Sequence, residues 1–260
     1  MARRTLNPPV QLNPPIQAIH WIASHRVIPS RYSEAGTVLA DIADDAAMLD
    51  EIVLLDGATN DRVQGEQRGL IGIGPYELVY GIPNAHVVNA AFTHTSDAGC
   101  RFNDHTRGAW YAAHELKTSL AEVTYHKARR LAQIVVPELP YGRPDTEFST
   151  YDDWQADFHS TFHVLEPAKN FSDCLQPEPV PQCYAASQRL AQQILEQQSN
   201  GLVYPSVRRP VWPCLVCFRP ALVYSPRRAK RFEIRFKATA VGYEHHIKGV
   251  PTNGEVSGGY

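Results

Sequence analysis

Residues that could act together on a small molecule are concentrated in one stretch of the chain, between positions 99 and 126. Arg101 and Asn103 stand in a polar segment, Tyr111 follows in a run of aromatic and small residues, and Glu122 lies further along. The set offers a cation, an amide, an aromatic hydroxyl and a carboxylate. Sites that bind and convert small molecules are assembled from a few converging groups of this kind.

Three different elements are predicted to position these side chains. Leucine and valine residues at 116, 120 and 123 recur at three- and four-residue spacing, which predicts a helix from about Thr118 with Glu122 one turn in. Residues 109–113, AWYAA, predict a buried strand that carries Tyr111. Any one of these polar residues alone would more often be an ordinary surface or core residue. The prediction of a site rests on their convergence.

A second informative stretch is GLVYPSVRR, residues 201–209. Its short apolar strand, which contains Tyr204, stops at a proline, so Ser206 is predicted at a strand end and Arg208 just beyond it. A serine in that place could be a nucleophile, but no Gly-x-Ser-x-Gly elbow surrounds it, and a hydrogen-bonding role is favoured. The preceding residues 184–198 are predicted to form a helix that ends at Asn200-Gly201.

Two arginines near the N-terminus also have unusual contexts. Arg26 is embedded in the apolar run IQAIHWIASHRVI, residues 16–28, and Arg31 follows in the same short motif. A buried, unpaired charge is costly, so Arg26 needs either a partner in the protein or a ligand.

Metal binding is the less favoured interpretation of two other residue pairs. His159 and His163 share one face of a strand predicted over 158–164 and could bind a metal, but a solvated strand face is favoured because a third ligand motif is missing. Cys214 and Cys217 lack the second pair that a structural zinc site requires. They are predicted to be core cysteines of a buried strand, and no metal is expected.

Composition limits the class of protein. Lys+Arg 25 against Asp+Glu 27 gives a net charge of −2, so the chain lacks the basic footprint of a nucleic-acid-binding protein. Five cysteines do not suggest a disulfide framework. With neither a secretory signal nor an apolar run of membrane-spanning length, the protein is expected to be cytoplasmic, without contact with a membrane.

The predicted organisation is a proline-rich arm over residues 1–19, one catalytic domain over residues 20–240 and a flexible tail over residues 241–260. Within the domain, residues 41–55 are predicted to form a helix and residues 166–182 a proline-rich loop. Residues 232–237 alternate apolar and charged and predict an amphipathic strand.

Several motifs in fixed order resemble the RES-domain family. They are HRVIPSRY, GCRFND, AWYAAHELKTSLAEVTYH, YAASQRLAQQI and GLVYPSVR, followed by CLVCFRP, and together they span roughly residues 20 to 225. The resemblance implies an α+β fold similar to that of ADP-ribosyltransferases, with a mixed or antiparallel β core flanked by helices. It also implies the toxin of a bacterial toxin-antitoxin pair that degrades NAD by hydrolysis or phosphorolysis. Some relatives of this family instead transfer ADP-ribose to a protein.

Carried over residue by residue, the resemblance places five residues in the site: Arg26, Arg101, Tyr111, Glu122 and Ser206. Arg31 is the alternative to Arg26 for the first of these positions. Asn103, Tyr204 and Arg208 are further candidates for NAD binding. The implied partner is an Xre-like antitoxin in a hetero-oligomeric complex, with DNA binding left to that partner. The alternatives are a protein ADP-ribosyltransferase, a binding module without NAD chemistry, or a toxin that acts on RNA; the near-neutral charge argues against RNA.

Overall fold

The part of the chain described by the computed structural model comprises residues 13–33, 72–166 and 171–250. The helix predicted over residues 41–55, most of the proline-rich arm and the last ten residues of the predicted tail lie outside these ranges. None of the helices described is long and apolar enough to cross a membrane.

Seven strands form one mixed sheet in the order β1-β2-β5-β4-β3-β6-β7. The pairing of β3 with β4 is parallel, and the other pairings are antiparallel. The strand bounds are β1 Ile16–Pro29, β2 Trp110–Ala113, β3 Thr146–Val164, β4 Gly201–Pro205, β5 Pro213–Cys217, β6 Tyr224–Thr239 and β7 Gly242–Val250. The α+β class with a mixed β core is thereby confirmed.

Pairing of β1 with both β2 and β3 brings the site residues together. β1 runs along β3 from Ile16 opposite His163 to Pro29 opposite Tyr151, while His25 pairs with Ala113 of β2. The strands β1, β2, β5, β4 and β3 therefore form a closed circuit. As a result, Arg26 on β1 lies beside β2, where its side chain donates to the Tyr111 carbonyl.

Within the described residues, three helices pack against this sheet: α1 Ala85–Thr93, α2 Leu116–Ala132 and α3 Ala185–Glu196. The apolar face of α2 buries Leu120 against Ile234 and Phe236 of β6, which alternate with charged residues as the sequence predicts. α3 buries Ile194 against Leu202 of β4. The predicted helices around residues 118 and 184–198 and the buried cysteine strand are confirmed.

Three predictions about the sheet are wrong in part. Residues 242–250 form β7 and not a flexible tail; most of its side chains are exposed, and it is held by pairing with β6 and by Tyr243 and Ile247, which pack against the core. Residues 16–19 belong to β1 and not to an arm. His163, expected on a solvated face, is only 5% exposed, because its ring hydrogen-bonds the Ser199 hydroxyl at 2.9 Å beside β4.

A buried carboxylate fixes the segment that follows β1. Asp152 of β3 is fully buried and accepts hydrogen bonds from Arg231 Nε at 2.7 Å and Nη2 at 3.0 Å. The Asp152 carboxylate also accepts a hydrogen bond from the hydroxyl of Ser33, which directly follows the short 3-10 helix Ser30–Tyr32. Burial acts to raise the pKa of Asp152, but these hydrogen bonds outweigh it and lower the pKa below its usual range.

Replacing Arg231 with methionine should destabilise the fold, because it leaves the buried Asp152 carboxylate without its bidentate partner. Loss of one member of a buried pair typically costs roughly 3 kcal/mol. Since the folded pKa of Asp152 lies below the unfolded value of 3.8, the wild-type stabilisation is present at neutral pH and disappears only as the pH falls through that lower folded value. Urea unfolding at pH 7 and at low pH measures both effects; equal stability of Arg231→Met and wild type at pH 7 would contradict the assignment.

Candidate functional site

The carboxylate of Glu122 is held by the serine that follows β4. Ser206 Oγ donates a hydrogen bond to Glu122 Oε1 at 2.6 Å and accepts hydrogen bonds from the backbone N–H groups of Arg208 at 3.2 Å and Arg209 at 3.0 Å. Ser206 is itself buried, whereas the Glu122 side chain is 28% exposed. The hydroxyl hydrogen is committed to the carboxylate, so this geometry suits a positioning role better than that of a nucleophile.

The hydroxyl of Tyr111, on β2, is hydrogen-bonded to the loop that contains Arg101. This hydroxyl donates to Asn103 Oδ1 at 2.7 Å and accepts from the Phe102 N–H at 2.9 Å. Burial raises the pKa of Tyr111 well above its usual value, so the phenol keeps the proton that it donates. The Asn103 amide also donates to the Arg107 carbonyl at 3.0 Å. The Asn103 side chain and the Tyr111 hydroxyl therefore stabilise the conformation of this loop.

A glycine is required where this loop turns. Gly99 has a φ of +65°, and a Cβ built there would lie 2.2 Å from the carbonyl oxygen of Asn103. That approach is far inside van der Waals contact, so only glycine fits both the space and the left-handed backbone. The turn is closed by the Cys100 N–H, which donates to the Asn103 carbonyl at 2.8 Å.

Arg101 is 9% exposed and already has acceptors in the protein. Its Nη1 donates to the carbonyls of Cys174 and Gln176, each at 3.0 Å, and its guanidinium lies 5.0 Å from the ring centre of Tyr184. Arg101 therefore connects the Gly99–Asn103 loop to the 3-10 turn Ser172–Leu175 and its neighbour Gln176. The proline-rich segment, predicted as a loop, supplies these carbonyls, and the Tyr184 ring comes from the 3-10 turn Gln182–Tyr184 that follows it.

Arg26 has few partners for its charge. Its Nη1 donates to the Tyr111 carbonyl at 3.3 Å, its guanidinium lies 5.0 Å from the Trp110 ring centre, and its buried Nε has no hydrogen-bond partner. Desolvation lowers the pKa of Arg26 to about 10. A half-buried guanidinium without a carboxylate is costly for stability, and such a group is a good candidate for binding an anion.

Arg208 is a second cation with incomplete partners. It donates to the Pro177 carbonyl at 3.1 Å, lies over the ring of Tyr125 at 3.3 Å, and buries an Nε without a partner. Desolvation lowers its pKa, although Glu122 and Glu178 act in the opposite direction. Tyr204 lies deeper, 8% exposed, with its ring 4.6 Å from that of Phe102. Burial raises the pKa of Tyr204 well above its usual value.

Arg31 lies apart from Arg26, on the wall of an open cavity of about 520 Å³. It is exposed and stacks on Tyr32, with its guanidinium 4.7 Å from the ring centre. The cavity connects it to the other residues around Glu122. Its lining includes Arg31, Tyr32, Glu122, His126, Lys127, Arg130, Glu147 and Tyr151. Arg26 thus contacts Tyr111, whereas Arg31 shares a cavity with Glu122.

Several further groups belong to this site but were not among the candidates predicted from the sequence. They are His126, Tyr125, Tyr184 and the carbonyls of residues 174–177. His126 follows Glu122 by one helical turn, and its Nε2 lies 3.9 Å from Glu122 Oε2. Desolvation, followed by the positive charges of Arg208 and Arg101, lowers the pKa of His126 to about 4. The four-residue spacing from Glu122 was a signal that could have identified His126.

The two residue pairs weighed as metal ligands from the sequence lie in different surroundings. Cys214 and Cys217 are buried in β5, and burial raises both pKa values, that of Cys217 to about 12. His159 is exposed and contacts His20. Across residues 13–33, 72–166 and 171–250, no group of three or more histidine, cysteine or acidic side chains is arranged to hold a metal ion.

Comparisons with known proteins identify the family. The family model described as RES domain matches residues 78–237, and the chain belongs to the RES-domain family. This range includes the loop, strand, helix and serine of the site but not Arg26. Comparison with curated proteins gives no match. Among solved structures, a chain of the M. tuberculosis MbcT-MbcA toxin-antitoxin complex is similar with a TM-score of 0.37 and 13% identity, over 53% of this chain and 72% of that one.

Replacing Ser206 with alanine should lower turnover of the site's substrate by roughly 10- to 100-fold, because a hydrogen bond to a charged group contributes about 1.5–3 kcal/mol. The loss should fall mainly on kcat, since the hydroxyl orients Glu122. Ser24→Ala is the matched control: Ser24 is also buried, but it donates to the Ala156 carbonyl at 2.7 Å within the sheet. If both variants lost stability alike and neither lost turnover, the positioning role would be wrong.

Proposed function

We propose that this chain cleaves the bond between nicotinamide and ribose in NAD. The observation that carries the proposal is the Glu122 carboxylate, held at 2.6 Å by Ser206 in a site that also contains Arg101 and Arg208, with Arg26 beside Tyr111. A fixed carboxylate beside several cations suits a substrate with an anionic pyrophosphate and a reacting centre that becomes positive.

Glu122 is assigned the role of stabilising the reacting centre, the ribose C1. As the C1–N bond of the ribose breaks, its electron pair passes to the cationic nitrogen of the ring, which leaves as neutral nicotinamide. Positive charge then develops on the ribose as an oxocarbenium-like centre, and a carboxylate stabilises it. Because the leaving group departs neutral, it needs no general acid, and one carboxylate serves where a glycosidase uses two.

The arginines are assigned to the pyrophosphate in an order that the side-chain contacts suggest. Arg26 comes first because its Nε has no partner and its one hydrogen bond is 3.3 Å long. Arg208, also with a buried Nε that lacks a partner, comes second. Arg101 comes third because its Nη1 is held by two carbonyls. The ring of Tyr111 would form a wall for nicotinamide or ribose.

The cellular role we propose is that of the toxin in a toxin-antitoxin pair, as RES-family membership supports, in the cytoplasm. Its partner would be an Xre-like antitoxin whose own helical part binds DNA, which agrees with the net charge of −2 here. The simplest inhibition is steric: a segment of the partner enters the cleft and places a carboxylate on the arginines assigned to the pyrophosphate. NAD is the substrate, and no metal is invoked.

The decisive experiment is incubation of the purified protein with NAD while nicotinamide release is followed. Release with ADP-ribose as the other product indicates hydrolysis, a phosphorylated ADP-ribose indicates phosphorolysis, and label fixed on protein indicates transfer. Absence of release with and without phosphate would favour a binding module. Expression of the chain alone should arrest growth and lower cellular NAD; unchanged growth and NAD would remove both the toxin role and the need for an inhibitory partner.

A further inference from the structure

Glu122 and His126 both line the open 520 Å³ cavity. Ser206, Arg26, Arg101 and Arg208 are not part of its lining, although Ser206 donates a hydrogen bond to Glu122 and Arg208 acts on its charge. A second reactant could therefore reach Glu122 through this cavity while NAD is held by the arginines.

The two carboxylate oxygens of Glu122 have different surroundings. Oε1 accepts the hydrogen bond from Ser206 at 2.6 Å, whereas Oε2 lies 3.9 Å from Nε2 of His126. A separation of 3.9 Å is too long for a direct hydrogen bond. One water molecule can span it by donating to both atoms, since polar groups at such distances are commonly bridged by water.

We propose that His126 is the base that activates the acceptor, taking a proton from a water molecule held between its Nε2 and Glu122 Oε2. This inference rests on the proposed NAD cleavage and names its acceptor. The water oxygen forms a bond to the ribose C1 as the C1–N bond breaks and nicotinamide leaves with that electron pair. One water proton passes to Nε2 of His126 and then to solvent through the open cavity, so NAD and water give ADP-ribose, nicotinamide and one proton.

A base other than Glu122 is needed because Glu122 stabilises the ribose cation only while it is charged. A carboxylate that took the water proton would lose that charge as the acceptor attacks. The His126 imidazole does not stabilise the ribose cation, so it can take the proton without that loss. Its side chain is exposed and lines the open cavity through which the proton leaves.

Desolvation first, and then the surrounding positive charges, lower the pKa of His126 and keep its ring neutral. On its own helix it faces Glu122, Tyr125, Arg129 and Arg130, and from outside the helix Arg101 and Arg208 act on it. The cavity adds a further set of charged and titratable groups. They are Arg31, Tyr32, Lys127, Glu147 and Tyr151. Cations predominate, which agrees with the lowered pKa of His126 of about 4.

The test compares water with azide as the acceptor in His126→Asn. Asparagine keeps a polar side chain of similar size but cannot take up the proton. Hydrolysis of NAD should fall roughly 100-fold, in line with the usual contribution of a general base. Azide is an anion with no proton to lose, so formation of ADP-ribosyl azide in the variant should remain within about threefold of wild type. Added imidazole should restore part of the hydrolysis.

Several outcomes would overturn the role of His126. They are unchanged hydrolysis in His126→Asn, an equal loss with water and azide, and a wild-type protein that releases nicotinamide only with phosphate and forms no ADP-ribose. His246→Asn on the exposed strand β7 is the matched control and should hydrolyse NAD as wild type does. Absence of nicotinamide release from wild type would instead refute the proposed function itself, so the two failures are distinguishable.

The pH profile gives an independent readout. Wild-type hydrolysis should stay level as the pH falls through 6.5, the ordinary pKa of histidine, and should decline only towards the lowered value of about 4. A decline centred near 6.5 that disappears in His126→Asn would show that the ring is not kept neutral, and would overturn the arrangement of charges on which the inference depends.

Discussion

Glu122→Gln is expected to lower the turnover of NAD by roughly 100- to 1000-fold, the usual effect of removing one group that stabilises transition-state charge. NAD affinity should change little, because glutamine has the same shape and its oxygen can still accept the hydrogen bond from Ser206. The interaction that is lost strengthens only as charge develops on the ribose, so the loss should appear in kcat. Nicotinamide release gives kcat, and titration calorimetry gives the NAD dissociation constant.

Glu244→Gln provides the matched control for this charge loss. Glu244 lies exposed on β7, opposite Lys237 of β6, so its substitution removes the same charge without touching the site. Its turnover should equal that of wild type. In cells without the partner, Glu122→Gln should be tolerated where wild type and Glu244→Gln arrest growth. Equal losses of affinity and turnover in Glu122→Gln would make Glu122 a ground-state ligand.

The positions of Glu122 in its helix and of Ser206 at the end of its strand could be predicted, because each position depends on local sequence. Helical spacing of apolar residues is enough to place Glu122 one turn into α2, and the proline after a short apolar strand is enough to place Ser206 at the end of β4. Their hydrogen bond joins residues 84 positions apart, and no local pattern encodes it. Only the order of strands in the closed circuit brings them together.

The roles of the arginines depended on groups that leave little trace in sequence. The acceptors of Arg101 are backbone carbonyls of residues 174 and 176, which any residue type could supply. The apolar run around Arg26 did predict that this arginine would need a partner or a ligand. Likewise, β7 could not be predicted from its mostly exposed side chains, because an edge strand can be held largely by backbone hydrogen bonds.

Arg26→Met is expected to raise stability while it weakens NAD binding. Arg26 keeps a guanidinium in a half-buried place with one long hydrogen bond, to the Tyr111 carbonyl at 3.3 Å, and desolvation lowers its pKa to about 10. Replacing a buried charge with an apolar side chain of similar length is often stabilising, here by about 1 kcal/mol. For a domain of this size that corresponds to roughly 2–4 °C in Tm.

The expected loss of NAD affinity in Arg26→Met is roughly 100-fold, which matches removal of charge-assisted hydrogen bonds to a phosphate group. Calorimetric titration with NAD and thermal unfolding without it measure the two effects on the same sample. Arg231→Met serves as the control because it also exchanges arginine for methionine, but there the buried partner Asp152 remains behind and stability falls. Opposite signs of the two stability changes would separate an arginine kept for a ligand from one kept for the fold. Arg26 would instead be a structural residue if Arg26→Met lost stability as Arg231→Met does and retained its affinity for NAD. Binding of the pyrophosphate would then be assigned to Arg208 and Arg101.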